Sequence, residues 1–181
     1  MNSVFDEIYS KYHHDVFQFL FYIVNHKETA EDLVQEVYIR VLKSYHRFEG
    51  KSTEKTWLFS IARNVAIDHF RKHKNWKERI MDKFDWSKQQ IKAEESLPEE
   101  IALQAEEVKD VYSALQYCTV DQRMVIVFRY IQELSISETA KALGWTESKV
   151  KTTQHRALKA LRTYLDEYGG KEDPYAETKV E

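Results

Sequence analysis

The chain is poor in the residues that make tight turns. Only four of its 181 residues are Gly and two are Pro, where ordinary usage would supply about 20. Hairpin-dense all-β folds, collagen-like repeats and Gly-rich linkers all consume those residues, so they are excluded. There is one cysteine, Cys118, which allows neither an intrachain disulfide nor a cysteine cage for zinc. A disulfide-stapled secreted domain is therefore excluded and a reducing compartment fits. Long hydrophobic runs are missing too: Val16 to Val24 is interrupted by Gln18 and falls well short of the roughly 20 residues that span a bilayer. Near the start, Asp6, Glu7 and Asp15 stand against Lys11 alone, the wrong sign for an export signal. What is present, 43% hydrophobic and 13% aromatic residues, suffices for a core and reads as a cytoplasmic, all-α protein.

A net charge of −3 by itself suggests no polyanion partner, but the charge is sorted along the chain. Residues 1–36 hold two Lys against seven acids, whereas residues 40–79 hold eleven Lys and Arg against four acids. Residues 82–110 are acidic, and residues 141–164 hold six cations against Glu147 alone. Two basic blocks separated by an acidic stretch can engage phosphates locally while the molecule stays weakly acidic.

Apolar spacing predicts helices. Phe5, Ile8, Tyr9, Tyr12, Val16, Phe19, Leu20 and Ile23 recur at steps of three and four. Ala30, Leu33, Val34, Val37, Tyr38, Val41, Leu42 and Tyr45 mark one face of a second helix, with Thr29 as its expected N-cap. After a break at Phe48 to Thr53, a third helix over 54–73 turns Trp57, Leu58, Ile61, Val65 and Phe70 inward. Periodicity fades from Trp76 to Gln104, which reads as a linker, and returns at Val108. Past Tyr168, Gly169-Gly170 ends the last helix and a polar tail is expected to be disordered.

The sharpest local pattern is at 135–162. Ser135 three residues before Glu138 is a capping box, Gly144 can take the left-handed conformation that ends the helix, and Thr146 caps a second helix from Glu147. Two helices joined by a tight Gly turn match the helix-turn-helix plan, whose second helix enters the major groove. Projected at about 100° per residue, Val150, Ala157, Leu158, Leu161 and Leu165 fall inward. Ser148, Thr152, His155 and Lys159 fall outward, flanked by Lys149 and Arg156. Short hydroxyls among long cations suit a surface that reads bases and grips phosphates. Gln154 projects toward the packed side.

On the third helix, Arg63, Asn64, Ile67, Arg71 and Lys72 project away from the inward face. Together with the turn at Gly50, Lys51, Ser52 and Thr53, they suit capture of unstacked bases and their phosphates. The acids at Asp32 and Glu36, with Gln35, would repel phosphate, so that face suits a protein partner.

These residues resemble the extracytoplasmic-function class of bacterial sigma factors, most closely the sigma-X type of bacilli. The segment Glu31-Asp-Leu-Val-Gln-Glu-Val-Tyr is similar to the clamp-binding helix of the sigma-two domain. Thr56 to Lys72 is similar to the promoter-melting and minus-ten-reading helix. Asp121-Gln-Arg, Ile136 to Gly144 and Val150 to Ala157 are similar to the sigma-four helix-turn-helix. The resemblance implies two helical domains on a flexible linker: 1–75 sigma-two-like, 76–105 linker, 106–168 sigma-four-like, 169–181 tail. It further implies that Asp32, Gln35 and Glu36 dock core RNA polymerase. Gly50 to Thr53, Arg63, Asn64, Arg71 and Lys72 would act at the minus-ten element, and Ser148, Lys149, Lys151, Thr152, His155, Arg156 and Lys159 at the minus-thirty-five element. Expected partners are core RNA polymerase, promoter DNA as duplex and as melted non-template strand, and an anti-sigma factor able to hold the chain at the membrane. No cofactor, metal or small-molecule substrate is implied. Relatives often carry Lys-Ser-Arg and further arginines in the recognition helix; here Lys151-Thr152-Thr153 and Leu158 stand instead, so the promoter sequence does not transfer.

Two rivals remain at this point. A stand-alone helix-turn-helix regulator would leave the acidic face and the first basic helix unexplained. An enzyme would need a site, yet adjacent His13-His14 cannot share one helical face, and Asp68-His69 lacks a second carboxylate cluster for a two-metal centre.

Overall fold

The computed structural model describes residues 3–73 and 105–168, and among them the regular structure is helical throughout. Helix α1 (Val4–Val24) opens on a capping box in which Ser3 Oγ accepts from Asp6 N and Asp6 Oδ2 accepts from Ser3 N at 3.0 Å. It closes at Asn25, whose φ is 57°. Helix α2 (Lys27–Ser44) starts two residues before the expected Thr29 cap. His26 takes that role, its ring Nδ1 accepting from Thr29 N at 3.2 Å, because an imidazole nitrogen supplies the same acceptor as a capping oxygen. A 3₁₀ turn (Tyr45–Arg47) and Gly50, at φ +69°, lead to α3 (Glu54–Lys72), capped by Thr53. Trp57 rests on Phe48 and Tyr45, with ring centroids 5.1 and 5.8 Å away, and so anchors the loop as a packing residue.

Helix α4 (Glu106–Leu115) is followed by α5 (Val120–Ile126), which has a Thr119/Gln122 capping box and runs on through a π turn (Val127–Ile131). Then come α6 (Ile136–Leu143) and α7 (Glu147–Tyr168). The local signals of the helix-turn-helix are all present: Ser135 and Glu138 cap each other, Gly144 sits at φ 67°, and Thr146 Oγ1 accepts from Lys149 N at 3.1 Å. Gly144 has open space where a Cβ would go, so strain in the left-handed backbone alone sets the cost of a side chain there. Gly144→Ala is expected to lower stability by about 1 kcal/mol, measurable as a shifted urea midpoint with an unchanged slope.

Helices α1–α3 and α4–α7 form two bundles that share one core rather than standing apart. The Phe19 ring stacks on Phe128 at 4.7 Å, and Phe59 meets the same ring edge-on at 5.3 Å. Arg123, 0% exposed, crosses the seam. Its Nη1 donates to Tyr22 O and Ile23 O, both at 3.3 Å, its Nε to Leu115 O at 3.1 Å, and its Nη2 to Cys118 O at 3.4 Å. Burial pushes the guanidinium down to about 10, still charged at neutral pH, and carbonyl acceptors replace its lost hydration. Burial likewise pushes the Cys118 thiol up to about 11, which leaves it a packing residue. The side-chain amides of Asn25 and Gln116 pair across the seam at 2.6 and 3.2 Å, and Lys55 Nζ donates to Gln132 O at 2.9 Å.

Four burial expectations need correction. Ile67, expected outward, is 5% exposed, because α6 packs along α3 on the side away from the first bundle. Leu42, expected inward, is 59% exposed, and Leu158 and Leu165 are 40% and 38% exposed. On α7 the buried positions are Val150, Ala157 and Tyr164, seven apart, and Leu158 and Leu165 each stand about 100° round the helix from a member of that stripe. The expected linker (76–105, all but its last residue) and tail (169–181) lie outside the described residues.

Candidate nucleic-acid interface

Helix α7 presents its expected reading face to solvent: Ser148, Lys149, Lys151, Thr152, His155, Arg156 and Lys159 are all exposed. The register is held from behind, where Val150 and Ala157 are fully buried. Gln154 turns inward, as its projection predicts, and Arg129 Nε donates to Gln154 Oε1 at 2.9 Å while its Nη1 reaches Leu134 O. Arg129 thus ties α7 to the segment entering α6, a role no local sequence pattern signals. Lys149 Nζ stands 3.9 Å from the ring centroid of Trp145 in the turn, which restrains one cation at the N-terminal end of α7.

The second set gathers less completely. Gly50, Lys51 and Thr53 are exposed, with Lys51 paired to Glu49. Thr53 is occupied as the α3 cap, accepting from Thr56 N at 3.1 Å. Asn64, Arg71 and Lys72 face solvent. Arg63 does not: it is half-buried at the seam, its Nε shielded without an acceptor and its Nη1 donating to Asn64 Oδ1 at 3.0 Å. Burial pushes its guanidinium down from the usual range, with the Asp121 carboxylate acting the other way.

On α2, Asp32 and Gln35 are exposed. Glu36 is half-buried and takes part in an ion-pair chain, 3.0 Å from Arg40 Nε, while Arg40 Nη1 reaches Asp68 at 2.9 Å. Between and beyond these residues, Ile39 and Leu42 stand 44% and 59% exposed. Projection at about 100° per residue places both on the acidic side of the helix. An acidic stripe interleaved with exposed aliphatics is suited to a protein surface and unsuited to DNA. Sequence reading missed Ile39 and turned Leu42 the wrong way, although helical projection alone would have found both.

This combination defines a two-part helical DNA-binding protein with a helix-turn-helix in its second part. Comparison with known families agrees: residues 8–75 match the model for Sigma-70 region 2 and residues 109–161 the model for Sigma-70, region 4. The ECF RNA polymerase sigma factor SigX of Bacillus subtilis is 57% identical over 166 residues, covering 92% of this chain and 86% of that protein. The RNA polymerase sigma factor YlaC of the same organism is 30% identical, covering 87% and 89%. The sigma factor RpoE of Bartonella quintana, solved in complex with the anti-sigma factor NepR, shares the fold at a TM-score of 0.70 and 23% identity, over 90% of this chain and 96% of that one. The chain belongs to the extracytoplasmic-function sigma factors of the sigma-70 family.

Proposed function

We propose that this chain binds core RNA polymerase through the α2 stripe of Asp32, Gln35 and Glu36 with Ile39 and Leu42, and directs it to promoters. Residues 1–75 act as the sigma-two-like part, 106–168 as the sigma-four-like part, and the chain itself performs no covalent chemistry. The exposed face of α7, from Ser148 to Lys159, reads duplex at the minus-thirty-five element. The loop Gly50 to Thr53, with Arg63, Asn64, Arg71 and Lys72, engages the minus-ten element and the melted non-template strand. An anti-sigma factor is the expected regulator, by analogy with the Bartonella complex. No described helix is long and apolar enough to cross a membrane, which fits action in the cytoplasm.

One observation carries this reading beyond family membership: cationic and amide side chains are exposed on α3 and α7, while α2 sets Asp32, Gln35 and Glu36 beside the exposed aliphatics Ile39 and Leu42. A stand-alone regulator would have no use for that third surface. Opening DNA costs about 1.4 kcal/mol per base-pair step in stacking, and capture of extruded bases offsets it directly. The two readers therefore have separable effects. Arg156→Ala is expected to weaken duplex binding across sequences and reduce the salt slope by about one. Asn64→Ala is expected to spare recruitment and reduce permanganate reactivity of the opened thymines. Equal loss of duplex binding in both variants, with opening intact, contradicts the division. The whole assignment is tested by run-off transcription on genomic fragments with core polymerase plus the purified chain.

A further inference from the structure

Where α7 ends, three tyrosine rings close on one another. Tyr117, between α4 and α5, lies 4.4 Å from Tyr164 and 6.1 Å from Tyr168, and those two stand 5.1 Å apart. Tyr117 and Tyr168 are 39% and 40% exposed, an aromatic surface that promoter reading leaves unused. The three rings line a groove of about 420 Å³ together with Arg156, Lys159 and Glu167. Both cations belong to the expected DNA face, and among the described residues neither meets a carboxylate. Along α7 the charge of the groove therefore changes sign, from Glu167 near the helix end to Lys159 and Arg156 further back.

The chain that follows α7 has the reach and the order of charge to fill this groove. Gly169-Gly170 permits a reversal, and residues 171–177 then read Lys-Glu-Asp-Pro-Tyr-Ala-Glu. Arg156 lies about 18 Å back from Tyr168 along the helix, at about 1.5 Å per residue. The segment 171–177 covers roughly 23 Å when extended at about 3.3 Å per residue. Laid antiparallel to α7, it brings Lys171 beside Glu167, Glu172 and Asp173 toward Lys159, and Glu177 to Arg156, so each sign meets its opposite in order. Pro174 disfavours helix at Asp173, and with Tyr175 it offers flat apolar surface to the tyrosine rings.

We propose that residues 171–177 dock in this groove and hold Arg156 and Lys159 away from phosphate, which makes the chain discriminate against nonspecific duplex. Exposed ion pairs are individually weak. A site that adds base contacts therefore displaces the segment, whereas mixed sequence, offering phosphate alone, competes poorly. The docking stands apart from any function; its effect on DNA rests on the reading of α7 as the duplex-contacting helix.

Zero-length carbodiimide coupling of the free full-length chain should join Lys159 to Glu172, Asp173 or Glu177 within one chain, located by peptide mass spectrometry. Excess mixed-sequence duplex should suppress that product. The full-length variant Glu172→Gln, Asp173→Asn, Glu177→Gln should bind a short labelled mixed-sequence duplex about fivefold tighter than wild type at about 0.15 M salt, where exposed charges more than about 8 Å apart are screened. Glu7→Gln, Glu28→Gln, Glu107→Gln makes the same change in net charge at exposed sites elsewhere and should stay within about twofold of wild type. Tyr117→Ala should reproduce the gain without altering a charge, and should add nothing to the tail variant. The proposal is overturned by absence of the coupled product, by coupling between chains (which assigns the groove to a second copy), or by equal tightening in the two triple variants. Arg156→Ala with unchanged duplex affinity would overturn the reading of α7, and with it the effect on DNA, while the coupled product still reported the docked segment.

Discussion

Replacing Arg123 with alanine is expected to lower the stability of the folded chain by about 3–5 kcal/mol, a large fraction of what a chain of this size possesses. The side chain is wholly buried and donates to four carbonyls from three parts of the chain: Tyr22 and Ile23 at the end of α1, Leu115 at the end of α4, and Cys118 ahead of α5. Truncation leaves a cavity and strips buried acceptors of a charged donor, each orphan costing about 1–3 kcal/mol. Arg123→Met separates the two contributions, because it fills most of the volume without restoring a donor, and should fall between wild type and alanine. Arg123→Lys should recover less than half of the loss, since one ammonium cannot fork toward carbonyls on opposite sides. Urea unfolding checks all three. A loss below about 1 kcal/mol for alanine would show that the carbonyls find other donors and that Arg123 does not hold the seam.

Reversing the charge at Asp32 should have the largest effect on function. Asp32 is exposed on α2 beside Gln35 and the aliphatics Ile39 and Leu42, so a polymerase surface that meets it must be complementary to an acid. Placing like charges together in an interface costs several kcal/mol, and Asp32→Lys is expected to weaken association with core polymerase about 100-fold. Glu7→Lys makes the same change in net charge on exposed α1 and should leave that affinity within about twofold. Fluorescence titration of labelled chain with core enzyme measures both. Equal losses in the two variants would mean that the polymerase senses overall charge and that the α2 stripe is not its contact.

The parts legible in the sequence are those set by short-range chemistry. Ser135 with Glu138, Gly144 and Thr146 specify the helix-turn-helix because caps and left-handed turns depend on neighbours within a few residues. The outward face of α7 followed from its register once Val150 and Ala157 were assigned to the core. What stayed hidden depends on distant residues. Ile67 and Arg63 look solvent-facing when α3 is projected against its own bundle, and only the second bundle, more than fifty residues on, covers them. Arg123 reads as an ordinary polar position in Asp121-Gln-Arg; its burial follows from carbonyls of α1 that carry no side-chain signature. His26, not Thr29, caps α2; imidazole serves that role less often than a hydroxyl, which is why the sequence points to Thr29. Leu158 and Leu165 repeat at core spacing, but each follows a buried residue, Ala157 or Tyr164, and so falls at the edge of the stripe that the other helices cover.

The central claim, that one acidic and aliphatic stripe serves polymerase while two cationic helices serve promoter DNA, is tested most directly by run-off transcription with core enzyme and purified chain, wild type against Asp32→Lys. Discrete transcripts are predicted with wild type, none from core enzyme alone, and a near-complete loss with Asp32→Lys while the variant still binds the same promoter duplex. Transcripts of equal intensity from both proteins, or tight site-specific binding by wild type with no transcript at all, would contradict it.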